Sequence, residues 1–263
     1  MPTRIASVRF AAAGDIAPVL APRWRSAARD AALRGAALLV DASLVGSWLE
    51  CAREVWTHDD ASWAMAGLLD DALVPPIAAV LGDGCHIGAN VVLGPRVVVG
   101  ARVTIGPGAV IGSPGFGWVR GLGGGLRAVP QLAGVVIEDD VAIGPLCTID
   151  AGTLSPTRIR RNAKLDAHIH VGHNGDVGEG TLVAAQSGFA GSVTIGREVL
   201  IGGQVGVADH VTIGDRARIA AKSGVIGDVP AGATVAGYPA VARVRWLRAL
   251  ATMQRALRPT GKT

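Results

Sequence analysis

Apolar residues recur at every sixth position from residue 81 onward, and this period restricts the possible folds more than any other feature of the chain. The first run extends from Leu81 to Ile111, and the longest run continues without a break from Ile159 to Val225. The residue that follows each of these positions is usually Gly or Ala. An amphipathic helix would instead place apolar residues at i, i+3, i+4 and i+7, and a hairpin strand would alternate by two. The period therefore predicts short strands separated by tight turns.

Three such six-residue units close one triangular coil, so that residues about 18 positions apart stack at the ~4.8 Å spacing of neighbouring strands. The apolar side chains point into the coil, and the small residues after them keep the corners free of Cβ clashes. The sequence therefore predicts an all-β fold, a parallel β-helix prism filled by a ladder of Ile, Val and Leu.

The period is interrupted twice. The first gap, 26 residues between Ile111 and Ile137, must leave the prism as an external loop, which carries Phe116 and Trp118 close to the glycine run 121–125. Long loops on rigid scaffolds often form lids or binding walls, although a tolerated insertion is the alternative. The second and shorter break covers residues 153–157.

The segments on either side of the prism lack the period. Residues 1–76 are predicted to form a small α/β domain, which ends at Val74-Pro75-Pro76. Its expected elements are a helix over Arg25 to Arg34, a strand over Ala36 to Val40 and a helix over Ala61 to Leu69.

The β-helix domain is assigned to residues 77–236. Residues 237–263 form a C-terminal extension, in which Gly237-Tyr238-Pro239 closes the prism and residues 240–257 are compatible with a helix.

Composition excludes several classes of protein. The chain of 263 residues is 49% hydrophobic, too apolar for a disordered protein, and its 37 glycines lack the period of collagen. Three distant cysteines fit reduced thiols better than a disulfide or zinc framework. A net charge of +4 with scattered basic residues and few aromatics argues against nucleic-acid binding. No uninterrupted apolar stretch approaches the ~20 residues of a membrane-spanning helix, and no signal-peptide core is found. We therefore expect a soluble cytoplasmic protein with no transmembrane segment.

Two histidines are candidates for acid–base chemistry. His173 follows Val171 and His210 follows Val207, and those valines are expected on one prism face two coils apart, roughly 10 Å along the axis. Both imidazoles project outward and could line one groove as a general base and a second polar group. Solvated surface histidines are the alternative. A zinc site is a further alternative, but His168 and His173 lack a third histidine at a matching position.

An ordered set of segments resembles the UDP-3-O-(3-hydroxyacyl)glucosamine N-acyltransferases of lipid A synthesis, which are hexapeptide-repeat enzymes. Those segments are 111–117 (IGSPGFG), 129–131 (VPQ), 148–152 (TIDAG), 164–174 (KLDAHIHVGHN), 184–192 (AAQSGFAGS) and 202–210 (GGQVGVADH). The resemblance covers residues from about 77 to about 250. It implies a left-handed β-helix, a homotrimer with active sites between subunits, and a reaction that needs no metal or cofactor, because phosphopantetheine arrives on the acyl donor.

The resemblance also implies roles for individual residues. His173 matches the general base that takes a proton from the sugar 2-amine as it attacks an acyl thioester, and His210 matches the histidine near the thioester. Asp166 matches a carboxylate that orients the base, and the N–H of Gly191 matches an oxyanion donor. Residues that match the substrate-binding groove are Asn174, Gln186, Gln204 and Phe116.

The C-terminal stretch carries Arg243, Arg245 and Arg248, which are expected to bind the acidic acyl carrier protein. A solvated helix that packs in a trimer is the alternative. Acyl-coenzyme A as the donor and a non-catalytic scaffold are alternatives to the carrier-dependent enzyme.

The chain departs from the family in its first domain. The uridine-binding element of the family has two aromatics that enclose uracil, but Pro18 stands in place of the first, Ala21 in place of an asparagine and Trp24 in place of the second. Trp24 is therefore the remaining candidate for stacking on a base. Near the expected base, His170 replaces a common glutamine.

Overall fold

The computed structural model describes residues 4–72, 77–237 and 243–256. Val74-Pro75-Pro76 and the residues Tyr238 and Pro239 of the predicted prism closure lie outside these ranges.

The first part of the chain forms a parallel sheet with two helices. The strands run β1 (Arg4–Ile5), β2 (Asp15–Val19), β3 (Ala37–Asp41) and β4 (Val55–His58), and they pair in that order. Helix α1 (Arg25–Leu33) and helix α2 (Ala61–Asp71) match the two predicted helices within two residues at each end, and β3 matches the predicted strand. Short 3₁₀ turns occupy Pro22–Trp24, Ala42–Leu44 and Ser47–Leu49.

The apolar pattern explains this arrangement. In β3 every residue from Ala37 to Val40 is buried, as expected for a parallel strand covered on both faces. Helix α1 buries its alanines (Ala28, Ala31 and Ala32) on one side of the sheet, and α2 buries Met65 and Leu69 on the other.

The prism forms three parallel sheets, which we call faces 1, 2 and 3 in the order in which the chain visits them. Face 1 contains β5 (Val80–Leu81), β8 (Val97–Val99), β13 (Val135–Ile137), β16 (Thr157–Ile159), β19 (Asp176–Val177), β22 (Thr194–Ile195) and β25 (Thr212–Ile213). Face 2 contains β6 (His86–Ile87), β9 (Thr104–Ile105), β14 (Ala142–Ile143), β17 (Lys164–Leu165), β20 (Leu182–Val183), β23 (Leu200–Ile201), β26 (Arg218–Ile219) and β28 (Thr234–Val235). Face 3 contains β7 (Val92–Leu93), β10 (Val110–Ser113), β15 (Thr148–Asp150), β18 (His170–Val171), β21 (Gly188–Phe189), β24 (Gly206–Val207) and β27 (Gly224–Val225).

Strand register follows the sequence period. Leu165 pairs with Val183, 18 residues later, where the repeats are regular. The separation rises to 22 residues between Ile143 and Leu165, across the second break in the period. It rises to 38 residues between Ile111 and Ile149, because the external loop lies between them. The inward apolar residues form one continuous core, in which Phe189 and Ile195 are at most 2% exposed.

The external loop leaves the prism after β10 and returns at β13, as predicted. It contains an antiparallel hairpin of β11 (Trp118–Arg120) and β12 (Leu126–Ala128). Arg127 of β12 stacks 4.3 Å above the ring of Trp63 in α2 and donates to its carbonyl oxygen at 3.1 Å. Val129 and Leu132 also pack against the core between α2 and the sheet. The loop is therefore held by the first domain and is not a free insertion.

Helix α3 (Arg243–Ala256) confirms the helix predicted at the C-terminal end.

Candidate active site

A recess of about 350 Å³ lies at the corner where face 3 turns into face 1. Successive coils contribute equivalent turn residues to it, because the prism stacks positions that are one coil apart. Phe116 of the external loop forms one wall. The other lining residues are Asp150, His170, Gly172, His173, Ala190, Gly191, Asp209 and His210.

His173 packs closely against two glycines. A Cβ atom at Gly191 would lie 2.5 Å from Nε2 of His173, and one at Gly115 would lie 2.5 Å from its Cβ. Neither glycine has a positive φ angle, so close approach of the imidazole explains them. The external loop and the next coil therefore both pack closely against this histidine.

Asn174 contacts the other ring nitrogen of His173. Its Oδ1 accepts from the backbone N–H of Thr153 at 2.7 Å, so its amide nitrogen is the atom 2.9 Å from Nδ1 of His173. The same amide nitrogen donates to Oγ1 of Thr153 at 3.1 Å, and that hydroxyl donates to Gln131 at 2.7 Å. Asn174 adopts φ 58°, a left-handed conformation that asparagine tolerates well. In this network Nδ1 is the acceptor, and the neutral ring of His173 carries its hydrogen on Nε2.

A buried carboxylate lies at the inner end of the recess. Asp150 ends strand β15 and is only 8% exposed. It accepts a hydrogen bond from the hydroxyl of Ser113 at 3.0 Å, and its Oδ2 lies 3.7 Å from Nε2 of His170. His170 is oriented by its Nδ1, which lies 2.7 Å from the hydroxyl of Thr148 on the neighbouring strand.

Burial and charge set the protonation of these groups. Burial lowers the pKa of His173, the nearby His170 lowers this pKa further, and Asp150 opposes both effects. Burial raises the pKa of Asp150, whereas Ser113, His170 and His173 lower it. Because the pKa of His173 lies below its ordinary value of 6.5, this imidazole is neutral at pH 7.

His210 also lines the recess, and its side chain is partly buried. Burial lowers the pKa of His210, the positive charge of Arg23 lowers it too, and Asp209 raises it. Nε2 of His210 lies 3.9 Å from Asp209. Arg23 belongs to the turn before α1, so the first domain places a positive charge near enough to His210 to lower its pKa.

The structure brings together four of the predicted residues, His173, His210, Gly191 and Phe116, and it places Asn174 beside them. Trp24 does not line the recess. Its ring packs partly against the core of the first domain, and it lies 5.1 Å from the guanidinium of Arg9 and 5.7 Å from that of Arg23.

Within one chain, Asp166 does not lie beside His173. Asp166 lies at the turn that follows face 2, and His173 lies at the turn that follows face 3, so one prism face separates them. Asp166 accepts from the N–H of Ala167 and lines an open groove on face 2 with Lys164 and other residues. The carboxylate beside the imidazoles is Asp150.

Gln186 and Gln204 occupy the same corner as Asp166, one and two coils further on. They bond to each other at 2.6 Å and do not line the recess that holds His173. Within one chain, they therefore lie apart from His173.

Sequence reasoning assigned no role to Asp150, Ser113 or Gly115, although all three fall inside the segments that carry the resemblance. The available signal was the sequence Thr148-Ile149-Asp150, where a carboxylate directly follows an inward residue.

The structure describes one of the three arginine side chains that were predicted to bind carrier protein. The side chains of Arg243 and Arg245 lie outside the described part of the chain, and Arg248 is exposed.

Among the residues that the structure describes, no cluster of three His, Cys, Asp or Glu side chains could hold a metal ion. Within the same ranges, no helix is long and apolar enough to cross a membrane. Cys51, Cys85 and Cys147 are free thiols.

The chain is similar to a known protein family and to several curated proteins. A family model described as bacterial transferase hexapeptide (six repeats) matches residues 78–113 and 192–227. The UDP-3-O-acylglucosamine N-acyltransferase of Maricaulis maris (strain MCS10) is 51% identical over 140 residues, which are 53% of this chain and 41% of that protein. The protein of that name from Anaeromyxobacter sp. (strain K) is 47% identical over 181 residues, which are 67% of this chain and 51% of that protein. The chain thus spans about half the length, or less, of these curated relatives.

Two solved structures share the fold. The UDP-N-acetylglucosamine acyltransferase from Campylobacter jejuni matches with a TM-score of 0.51 at 22% identity, over 70% of this chain and 82% of its own. The enzyme of that name from Bacteroides fragilis 9343 matches with a TM-score of 0.53 at 20% identity, over 73% of this chain and 87% of its own. The predicted left-handed parallel β-helix and the resemblance to UDP-3-O-acylglucosamine N-acyltransferases are both confirmed.

Proposed function

We propose that the protein is an N-acyltransferase. It transfers a 3-hydroxyacyl group from the thioester of acyl carrier protein to the 2-amine of a UDP-linked acylated glucosamine, or of a related amino sugar. The observation that carries this proposal is the recess in which a buried, neutral His173 faces a second histidine, His210, beside a glycine backbone. The names and identities of the curated relatives support N-acyl transfer to a UDP-linked acylated glucosamine.

In this proposal His173 is the general base. The sugar amine attacks the thioester carbonyl, a C–N bond forms, and Nε2 of His173 takes a proton from the amine. The C–S bond then breaks, and the leaving thiolate of phosphopantetheine takes the proton back from the imidazolium. A neutral imidazole at pH 7 is the protonation state that this role requires.

The base role sets a condition on Asn174. Nε2 can accept a proton only when the ring hydrogen is on Nδ1, whereas the Asn174 amide favours the opposite tautomer. Substrate binding must therefore release this contact, at a cost of about 1 kcal/mol for a hydrogen bond of this kind. Phe116 is the most exposed side chain that lines the recess, at 87%.

Gly191 is proposed as the donor to the oxyanion. Its N–H donates to no backbone or side-chain acceptor in the described ranges of the chain, and it lies in the turn against which His173 packs. A free backbone N–H beside the base is suited to the negative oxygen of a tetrahedral intermediate.

The first domain is proposed to bind the nucleotide part of the acceptor. Trp24 offers an aromatic surface for a base. Arg23, whose guanidinium lies 5.7 Å from the Trp24 ring and whose charge lowers the pKa of His210, offers a positive charge for the diphosphate. Pro18 lies within β2 and supplies no second aromatic surface. We therefore expect weaker stacking on uracil than a pair of aromatics would give.

Carrier protein is proposed as the donor because helix α3 bears basic residues and Arg248 is exposed. A homotrimer in the cytoplasm, with no cofactor of its own, completes the proposal. Acyl-coenzyme A as the donor remains the second candidate.

The test measures acyl transfer from a panel of 3-hydroxyacyl carrier proteins and the matching coenzyme A thioesters to UDP-3-O-acylglucosamine. Arg248→Glu should lower kcat/KM about tenfold with carrier protein and leave the coenzyme A reaction unchanged. Arg216→Glu, an exposed arginine in a prism turn, is the matched control. Equal effects of Arg248→Glu on both donors would contradict a carrier-binding role for this helix.

A further inference from the structure

Asp150 is a buried carboxylate to which the proposed mechanism has so far assigned no role. It accepts one hydrogen bond within the described part of the chain, from Ser113 at 3.0 Å. A carboxylate that is 8% exposed and so sparsely bonded needs a further compensating charge or donor. The imidazoles whose charges act on Asp150 are those of His170 and His173, and both lower its pKa.

His170 is held in a position to provide that compensation. Its Nδ1 lies 2.7 Å from the hydroxyl of Thr148, which turns its Nε2 toward Asp150 at 3.7 Å. The cross-strand register aligns Thr148 with His170, so the contact follows from the stacking of β15 on β18. The second imidazole is therefore fixed by the prism itself.

We propose that Asp150 is the carboxylate that supports His173 during proton transfer, and that His170 positions Asp150 and shares its charge. This inference rests on the proposed function. When His173 takes the amine proton, an imidazolium forms at a buried position, and the charge of Asp150 offsets part of its desolvation cost. The proton then passes to the leaving thiolate, and Asp150 stays ionised throughout.

Other charged groups face His173 and bear on the test. His170 and Asp150 belong to face 3, Asp209 and His210 to the turn two coils on, and Arg23 reaches His210 from the first domain. Within this set, Asp150 raises the pKa of His173 and His170 lowers it. Substitution of these two residues should therefore move the titration of His173 in opposite directions.

The experiment combines an NMR titration of the His173 ring with the pH profile of kcat/KM. Asp150→Asn should move the acid limb to lower pH and reduce the plateau rate about 100-fold. His170→Gln should move the acid limb to higher pH with a smaller loss of rate. Asp150→Glu should recover part of the loss, because it restores the charge.

Asp215→Asn is the matched control, since Asp215 pairs with Arg197 in a prism turn away from the recess. It should leave both the rate and the acid limb unchanged. Parallel shifts in Asp150→Asn and His170→Gln, or a shift with Asp166→Asn in place of Asp150→Asn, would overturn the inference. The NMR titration reports on the inference even if the wild-type protein transfers no acyl group, so the failure of the proposed function would be seen separately.

Discussion

At the scale of the residue, the position of His173 depends on the absence of side chains around it. Gly115 and Gly191 have ordinary backbone angles, yet any Cβ atom there would collide with the imidazole. The pattern of small residues after each apolar position predicts glycine at corners. It does not distinguish a glycine whose Cβ would collide with the backbone of the next coil from one whose Cβ would collide with a catalytic side chain. That distinction requires the structure.

Gly191→Ala tests this packing. The added Cβ would lie 2.5 Å from Nε2 of His173, so the ring must move, and a displacement of about 1 Å is enough to lower kcat roughly 100-fold. Gly227→Ala is the control, because no atom lies within 4 Å of a Cβ at that position. Circular dichroism should show both variants folded. Full activity of Gly191→Ala would contradict the tight packing of the His173 ring against Gly191.

At the scale of the element, the external loop links the first domain to the recess. One end of the loop carries Gly115 and Phe116 at the recess, and its hairpin is fastened to α2 by Arg127 and Trp63. The gap in the period predicted that the loop leaves the prism. The place where it docks could not be predicted, since the contact joins residues 64 positions apart through an arginine and a tryptophan that carry no motif.

Arg127→Ala tests this attachment. Loss of the stacking and of the hydrogen bond to Trp63 should lower the free energy of unfolding by about 1–2 kcal/mol. It should also speed amide exchange across the hairpin, measured by hydrogen–deuterium exchange. Arg120→Ala, which removes an exposed arginine of the same hairpin that bonds to Gly124, should change neither quantity appreciably. Equal exchange rates in the two variants would show that the other loop contacts suffice.

At the scale of the whole molecule, the six-residue period accounted for the prism, its three faces and the two breaks. It also placed His173 and His210 on one corner, because their separation by 37 residues is close to two coils. The resemblance brought Asp166, Gln186 and Gln204 into the same groove, whereas the chain puts them one corner away. The period itself separates them, because Leu165 and Val171 lie six positions apart and therefore on neighbouring faces. The resemblance matches residues one by one and takes no account of this register.

The most direct test of the account compares acyl transfer by the wild-type protein and by His173→Ala. The reaction uses 3-hydroxyacyl carrier protein and UDP-3-O-acylglucosamine, and His86→Ala, an exposed histidine of the second strand of the prism, serves as control. We expect His173→Ala to lower kcat by 10²–10⁴-fold, roughly the contribution of a general base, and His86→Ala to retain wild-type activity. Undiminished turnover in His173→Ala would contradict the assignment of the recess as the active site.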